Sequence, residues 1–140
     1  MDAHIIGIGG VFLRADDKGS LTDWYSDSLD ISIESYGGHE FFWRKADDAD
    51  VFSRTVLGFF DADSKYFEGP AMVNYIVRDL DALLGKLKAR GINEVKPREE
   101  YSYGNFAWVK DPEGRWIELW EPDYDSPENV PPERPVGLPG

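Results

Sequence analysis

The order of predicted secondary structure repeats once along the chain, and this repeat limits the possible folds more than any other feature. Ile5 to Ala15 is rich in β-branched residues and predicts a strand. A helix of about ten residues follows, with apolar side chains at helical spacing and Ser20 as its predicted N-cap. Three strand-like runs come next: Ile31 to Tyr36, Glu40 to Lys45 and Val51 to Phe60.

The second half has the same order of elements. Ala71 to Val77 predicts a strand, and a helix with a stripe of leucines begins after Asp79 and ends before Gly91. Three more strands are predicted near Glu94 to Pro97, Gly104 to Lys110 and Arg115 to Glu121. Since neither half covers both faces of its own sheet, we predict an α+β fold in which two βαβββ modules share a core.

Length and proline distribution set the expected boundaries. A chain of 140 residues has room for one ordinary domain, which we place at residues 1–121, with module one at about 5–61 and module two at about 70–121. Six of the nine prolines fall between Pro122 and Pro139. Residues 122–140 are therefore predicted to be an extended arm outside the fold.

Charge and composition exclude several classes of function. The chain has 15 Lys and Arg against 27 Asp and Glu, a net charge of -12, so nucleic acid and anionic membrane surfaces are not expected partners. It has no Cys, which excludes disulfides, thiolate metal sites and a cysteine nucleophile. The longest apolar stretch, Ile5 to Leu13, is too short to span a membrane, and we expect a cytoplasmic protein.

The last predicted strand carries the most chemical information. Its alternation puts Ile117 and Leu119 on one face, and Trp116, Glu118 and Trp120 on the other. This second face could point to water or to a dimer interface, or it could line a ligand cavity. In a cavity, Glu118 would have to be paired, metal-bound or protonated, because an isolated buried carboxylate is costly.

The first strand of each half could supply side chains to the same cavity. In module one these are Gly10, Phe12 and Arg14, and in module two Met72 and Asn74. Arg14 could neutralise Glu118 or a ligand carboxylate. Alternation does not decide which face of the second-half strand is inward, since both of its faces are largely apolar.

Two segments give the chain a resemblance to a known superfamily. They are Phe12-Leu13-Arg14 with the following Asp23-Trp24-Tyr25, and the closing run from Trp108 to Leu119. Together with the repeat, they resemble the vicinal oxygen chelate proteins, which include glyoxalase I, ring-cleaving dioxygenases and bleomycin resistance proteins. The resemblance covers about residues 5 to 121 and implies a cupped, mostly antiparallel, glyoxalase-like sheet with helices on its outer face.

The resemblance also implies four metal-ligand positions. They fall on Gly10, Gly58, Met72 and Glu118, of which only Glu118 is a usual ligand for this superfamily. A divalent metal needs three or four protein donors, so we expect no metal and no other cofactor. His39 and Glu40 are the remaining residues that could rebuild a metal site.

The favoured hypothesis is therefore a metal-free protein that binds a small, partly aromatic or planar molecule. The expected walls are Phe12, Trp108, Trp116 and Trp120, and the expected polar anchors are Arg14, Asn74 and Glu118. The alternative is an isomerase, lyase or dioxygenase-like enzyme with Glu118 as general base, possibly with a divalent metal. A third hypothesis is a structural dimerisation module, and a homodimer is expected under all three.

Overall fold

Seven strands join into one mixed sheet within residues 5–129, the part of the chain that the computed structural model describes. The strands are β1 (Ile5–Ala15), β2 (Gly38–Lys45), β3 (Asp48–Asp61), β4 (Ala71–Val77), β5 (Glu99–Tyr101), β6 (Gly104–Lys110) and β7 (Trp116–Pro122). The helices are α1 (Lys18–Leu29) and α2 (Leu80–Ala89), and a short 3₁₀ turn spans Pro127–Asn129. The order across the sheet is β2-β3-β1-β4-β7-β6-β5.

The first strands of the two modules lie together at the centre of the sheet. β1 and β4 pair antiparallel, and this pairing joins the modules. Each also pairs in parallel with the last strand of its own module, β3 or β7. The remaining strand pairs are antiparallel. The predicted α+β class with a mostly antiparallel sheet is confirmed.

Helix α2 covers the outer face of module two, as its leucine stripe predicts. The Asp79 side chain caps it by accepting a hydrogen bond of 3.1 Å from the backbone N–H of Ala82. Leu80 is fully buried against Leu119 and Val109, which point to this face of β7 and β6. The helix thus closes a small aliphatic core behind the sheet.

Helix α1 begins earlier than predicted. Its N-cap is Asp17, whose carboxylate accepts a 3.1 Å hydrogen bond from the backbone N–H of Ser20. Ser20 therefore lies inside the first turn, and Asp17 provides the stronger, charged acceptor at the positive end of the helix. No side chain of α1 is fully buried, and its Tyr25 ring packs 4.8 Å from that of Phe59.

Two segments predicted as strands are not strands. The backbone around Ile31 to Tyr36 turns back on itself, since the N–H of Glu34 donates to Gly38 and the N–H of Gly37 donates to Glu34. Module one therefore has three strands. In the segment Glu94 to Pro97, the backbone N–H of Val95 donates to the Trp108 carbonyl at 2.9 Å. The strand β5 begins after this segment, at Glu99.

The first part of the predicted arm belongs to the fold. Asn129 is buried, and its side-chain amide donates to the carbonyls of Tyr103 and Asp123, both at 2.8 Å. Its oxygen accepts a 2.8 Å bond from Arg54 on β3. Residues 130–140, and His4 at the other end, lie outside the described residues.

The described part of the chain contains no helix long and apolar enough to cross a membrane.

Candidate functional site

Glu118 lies at the centre of the inner face, the side of the sheet opposite α2. Strand register places five residues side by side across that face: Val56, Gly10, Asn74, Glu118 and Trp108. The Glu118 side chain is 1% exposed. Of the orientations that the alternation of β7 left open, the structure therefore has the inward one for Glu118.

Three neutral donors surround the Glu118 carboxylate. Asn74 donates its side-chain N–H to Oε1 at 2.6 Å. The indole of Trp108 and the hydroxyl of Tyr66 donate to Oε2 at 2.9 Å and 2.5 Å. Both oxygens are therefore occupied by side chains of the same chain.

The protonation of this cluster is governed by its burial. Burial raises the pKa of Glu118, and the hydrogen bonds from Tyr66, Asn74 and Trp108 and the charge of Lys96 oppose that rise. Burial also raises the pKa of Tyr66, and the neighbouring Glu118 adds to the increase. The phenol therefore stays protonated at neutral pH and serves as a donor to the carboxylate.

Tyr66 is the central residue that the sequence analysis missed. It lies in the segment 61–70 between the modules, which sequence patterns identify only as turn-prone. Lys96 covers the cluster from outside, with its ammonium 3.9 Å from the Trp108 ring centroid and 4.7 Å from that of Tyr66. No local signal marks Tyr66, because its partner Glu118 is 52 residues away in sequence.

Arg14 holds this linking segment and does not pair with Glu118 as expected. Its guanidinium donates to five backbone carbonyls, those of Asp61, Ala62, Ser64, Phe67 and Gly69. It also lies 4.8 Å above the Phe67 ring centroid. A guanidinium has five donors in a fixed plane, which suits it to gather the carbonyls of a tight loop. Arg14 thus positions the segment that carries Tyr66.

The Phe12 ring covers two of the implied metal-ligand positions. A Cβ atom built on Gly10 would lie 2.9 Å from the Phe12 ring, and one built on Gly58 would also lie 2.9 Å from it. Both distances are shorter than van der Waals contact, so a side chain at either position would force the Phe12 ring to move. The space that ligand side chains would need is filled by an aromatic ring.

A third glycine makes room for Asn74. A Cβ on Gly9 would lie 2.3 Å from the Asn74 side-chain oxygen. Within residues 5–129 that buried oxygen has no hydrogen-bond partner. Asn74 therefore uses its N–H₂ group toward Glu118 and keeps an unused acceptor beside Gly9.

The remaining predicted site residues lie in the inner-face core. Met72 is 1% exposed and packs with Phe106, Trp108 and Trp120. The Trp120 and Phe106 rings stack with centroids 5.8 Å apart, and Trp116 is partly buried at the edge of the same cluster. This core occupies the space between the modules in which a ligand was expected.

The residues present do not suit a divalent metal. Gly10 and Gly58 offer no donor, Met72 is packed among aromatic rings, and Glu118 already accepts three hydrogen bonds. Within residues 5–129, no three His, Cys, Asp or Glu side chains gather as a metal site would require.

His39 and Glu40 are used elsewhere. A ring nitrogen of His39 lies 2.7 Å from the Ser32 carbonyl, and Glu40 forms an ion pair with Arg54. The two side chains do not complete a set of donors around Glu118.

An open groove lies on the inner face of module one. We call it the module-one groove; its volume is about 230 Å³, and it is lined by Phe12, Lys18, Tyr36, Gly37, Val56, Gly58, Phe59, Phe60, Asp61 and Ser64. Of the nine residues predicted for the ligand site, Phe12 alone is among these lining residues. The groove therefore lies beside the predicted site and on the side away from β7.

Comparison with known proteins gives structural neighbours only. No protein-family model and no curated protein matches the chain. Methylmalonyl-CoA epimerase from Mycobacterium tuberculosis superposes with a TM-score of 0.55 at 19% identity, covering 85% of this chain and 89% of that one. The Streptomyces coelicolor enzyme in complex with 2-nitronate-propionyl-CoA gives 0.60 at 15% identity, covering 85% and 99%.

A third neighbour carries the superfamily description in its name. A glyoxalase/bleomycin resistance protein/dioxygenase superfamily member from Vibrio splendidus 12B01 superposes with a TM-score of 0.52 at 12% identity, covering 85% of this chain and 98% of that one. At such identities the likeness establishes the fold and no activity. The chain therefore has a glyoxalase-like fold.

Proposed function

We propose that this chain is a metal-free protein that binds a small planar or aromatic molecule in the module-one groove. The observation that carries the proposal is the groove itself, an open space of about 230 Å³ on the inner face with aromatic and polar lining residues. Such a lining is typical of small-molecule sites, and the volume suits a ligand of one or two rings.

The aromatic lining favours a flat ligand. The Phe12 and Phe60 rings meet edge to face, with centroids 5.6 Å apart. Phe60 is held from behind by Tyr66, which stacks on it at 5.3 Å. A further ring placed against this pair would continue an edge-to-face or stacked arrangement, which is worth roughly 0.5–1.5 kcal/mol beyond area burial.

Four polar side chains around the groove would orient the ligand: Lys18, Tyr36, Asp61 and Ser64. Burial, and then the charges of Glu40 and Glu34, raise the pKa of Tyr36 to about 12. Its hydroxyl is thus neutral at physiological pH and available as a hydrogen-bond donor. With an ammonium and a carboxylate nearby, the groove suits a hydroxyl or carbonyl substituent on the ligand.

The enzymatic alternative receives less support from the geometry. A raised pKa would suit Glu118 to proton transfer. However, the carboxylate is 1% exposed and already accepts three bonds. A substrate would first have to displace Tyr66, which is held by the loop that Arg14 binds.

A homodimer and a cytoplasmic location remain predictions. Ile8 on β1 and Phe41 on the edge strand β2 are 45% and 44% exposed, and a second copy of the chain could cover them.

Binding of 2-naphthol tests the proposal, because this two-ring probe is flat and neutral at pH 7. Isothermal titration calorimetry should show saturable binding to the wild type. Val56→Phe puts a ring into the groove and should weaken binding by about tenfold or more, since the added ring occupies space that the ligand needs.

Val51→Phe is the matched control, as it makes the same change elsewhere on β3, at a position that does not line the groove. It should bind 2-naphthol like the wild type. If the wild type does not bind the probe, or if both variants bind it equally well, the module-one groove is not the ligand site.

A further inference from the structure

A second groove lies at the opposite end of β1 from the module-one groove. We call it the basic groove; its volume is about 300 Å³, and it is lined by Ile5, Ile6, Trp43, Arg44, Lys45, Ala46, Asp47 and Arg78. It shares no lining residue with the module-one groove. It brings three cations and one carboxylate together on a chain whose net charge is -12.

The floor of the basic groove is apolar and rigid. The Trp43 indole N–H donates to the Thr55 hydroxyl at 2.9 Å, which fixes the ring in its plane. A Cβ on Gly7 would lie 3.0 Å from this ring, so the indole lies close against the backbone of β1. Together with Ile5 and Ile6, Trp43 offers a flat surface to the apolar body of a ligand.

One cation forms a fixed wall of the groove. Arg44 donates to the Ala49 carbonyl at 2.8 Å and lies 4.5 Å above the Phe52 ring centroid. These two contacts hold its side chain along the β2–β3 hairpin. Its charge is therefore a permanent part of the groove.

The other two cations have donors that no residue within 5–129 uses. The Lys45 ammonium and the Arg78 guanidinium lie 4.0 Å and 3.8 Å from the two oxygens of Asp47, beyond hydrogen-bond distance. Within residues 5–129, neither side chain makes a hydrogen bond in this structure. Asp47 is 69% exposed, so water screens its attraction for both cations.

We propose that the basic groove binds a small organic anion, with its carboxylate or phosphate group between Lys45 and Arg78 and its apolar body against Trp43. A guanidinium can give two parallel N–H bonds to either kind of anionic group. The Lys45 side chain is only 15% exposed, which strengthens its interaction with an anion relative to a fully solvated lysine.

Calorimetric titrations with phenylphosphate and benzoate test the proposal for the two kinds of anionic group. Two further probes separate the parts of such a ligand. Inorganic phosphate carries the anionic group without a ring, and benzyl alcohol carries a ring without a charge. At least one of the two aromatic anions should bind saturably, more tightly than inorganic phosphate or benzyl alcohol, and its binding should weaken as salt is added. A chain that binds neither aromatic anion, or that binds inorganic phosphate as tightly as phenylphosphate, would overturn the proposal.

Arg78→Gln removes the exposed cation of the site and should weaken binding of the aromatic anion by about tenfold. Arg90→Gln is the matched control, because Arg90 is an exposed residue at the end of α2 and does not line the groove. It should leave the affinity within about twofold of the wild-type value, since distant charges are screened. Equal weakening by the two substitutions would indicate a general effect of net charge and would contradict a built site.

Discussion

Replacing Glu118 with leucine is expected to lower the free energy of unfolding by about 3–5 kcal/mol. The reason is that Tyr66, Asn74 and Trp108 each donate a hydrogen bond to this buried carboxylate. Leucine has a similar size but accepts none of these bonds, so three donors would lose their partner, two of them fully buried. Chemical denaturation followed by circular dichroism measures the change.

Glu118→Gln is the matched control for this prediction. A glutamine oxygen can accept from Tyr66 and Trp108, and its amide can donate to the Asn74 oxygen after the Asn74 side chain turns over. That oxygen has no partner within the described residues. We therefore expect Glu118→Gln to stay within about 1 kcal/mol of the wild type at neutral pH. A loss as large as that of the leucine variant would contradict the proposed hydrogen-bond cluster.

The same pair of proteins reports the protonation of Glu118. Its pKa is raised in the folded chain above its ordinary value of 4.5, so the folded state holds the proton more tightly than the unfolded state does. This tighter proton binding adds to the free energy of unfolding. The added stability is complete below pH 4.5 and is lost as the pH rises through the folded pKa of Glu118. The stability of the wild type relative to Glu118→Gln should accordingly fall with rising pH across that window.

Arg14→Met is expected to lower the free energy of unfolding by about 3 kcal/mol. The reason is that five carbonyls of the linking segment lose the charged donor that they share. Two of these bonds, to Ser64 and Phe67, are partly buried, and they flank Tyr66. The substitution should also speed amide hydrogen exchange in residues 61–70, which hydrogen-exchange mass spectrometry detects.

Arg44→Met provides the comparison for Arg14→Met. Arg44 also lies over a phenylalanine ring, but it donates to a single carbonyl on an exposed hairpin. Arg44→Met should therefore lower the free energy of unfolding by less than about 1 kcal/mol. Equal costs for the two arginines, or unchanged exchange in residues 61–70, would show that Arg14 does not position the Tyr66 segment.

The elements that the sequence predicts correctly are those with strong local periodicity. The leucine stripe of α2 and the alternation of β7 each reflect two environments on opposite sides of one element. The segment Ile31 to Tyr36 is as β-branched as a strand, but its backbone bonds close a local turn before Gly38. Strand propensity depends on residue types and does not reveal with which groups the backbone forms hydrogen bonds.

The candidate site could be predicted only in part. Alternation placed Glu118 between two indoles on one face of β7 and left open whether that face is inward, which the structure decides. It could not reveal Tyr66, because the contact depends on how the segment 61–70 folds across the sheet, and that depends on five bonds from Arg14. Arg14 looked available for a ligand, since a sequence does not show that backbone carbonyls will gather around it.

The glycines give a further example of this limit. Gly10 and Gly58 stand out in the sequence as positions without a donor. In the structure the Phe12 ring lies against both, and a Cβ at either position would force that ring to move. The two positions without a ligand side chain are thus both packed against one aromatic side chain, Phe12, which lies on the same strand as Gly10 and directly opposite Gly58.

A cobalt titration tests most directly the claim that the inner face, packed as described, binds no divalent metal. Co²⁺ bound by protein side chains gives visible absorption bands that differ from those of the hydrated ion. We predict that adding Co²⁺ to the wild-type protein produces only the spectrum of the hydrated ion, with no change in unfolding temperature. A saturable band at one Co²⁺ per chain that disappears in Glu118→Gln would contradict the account.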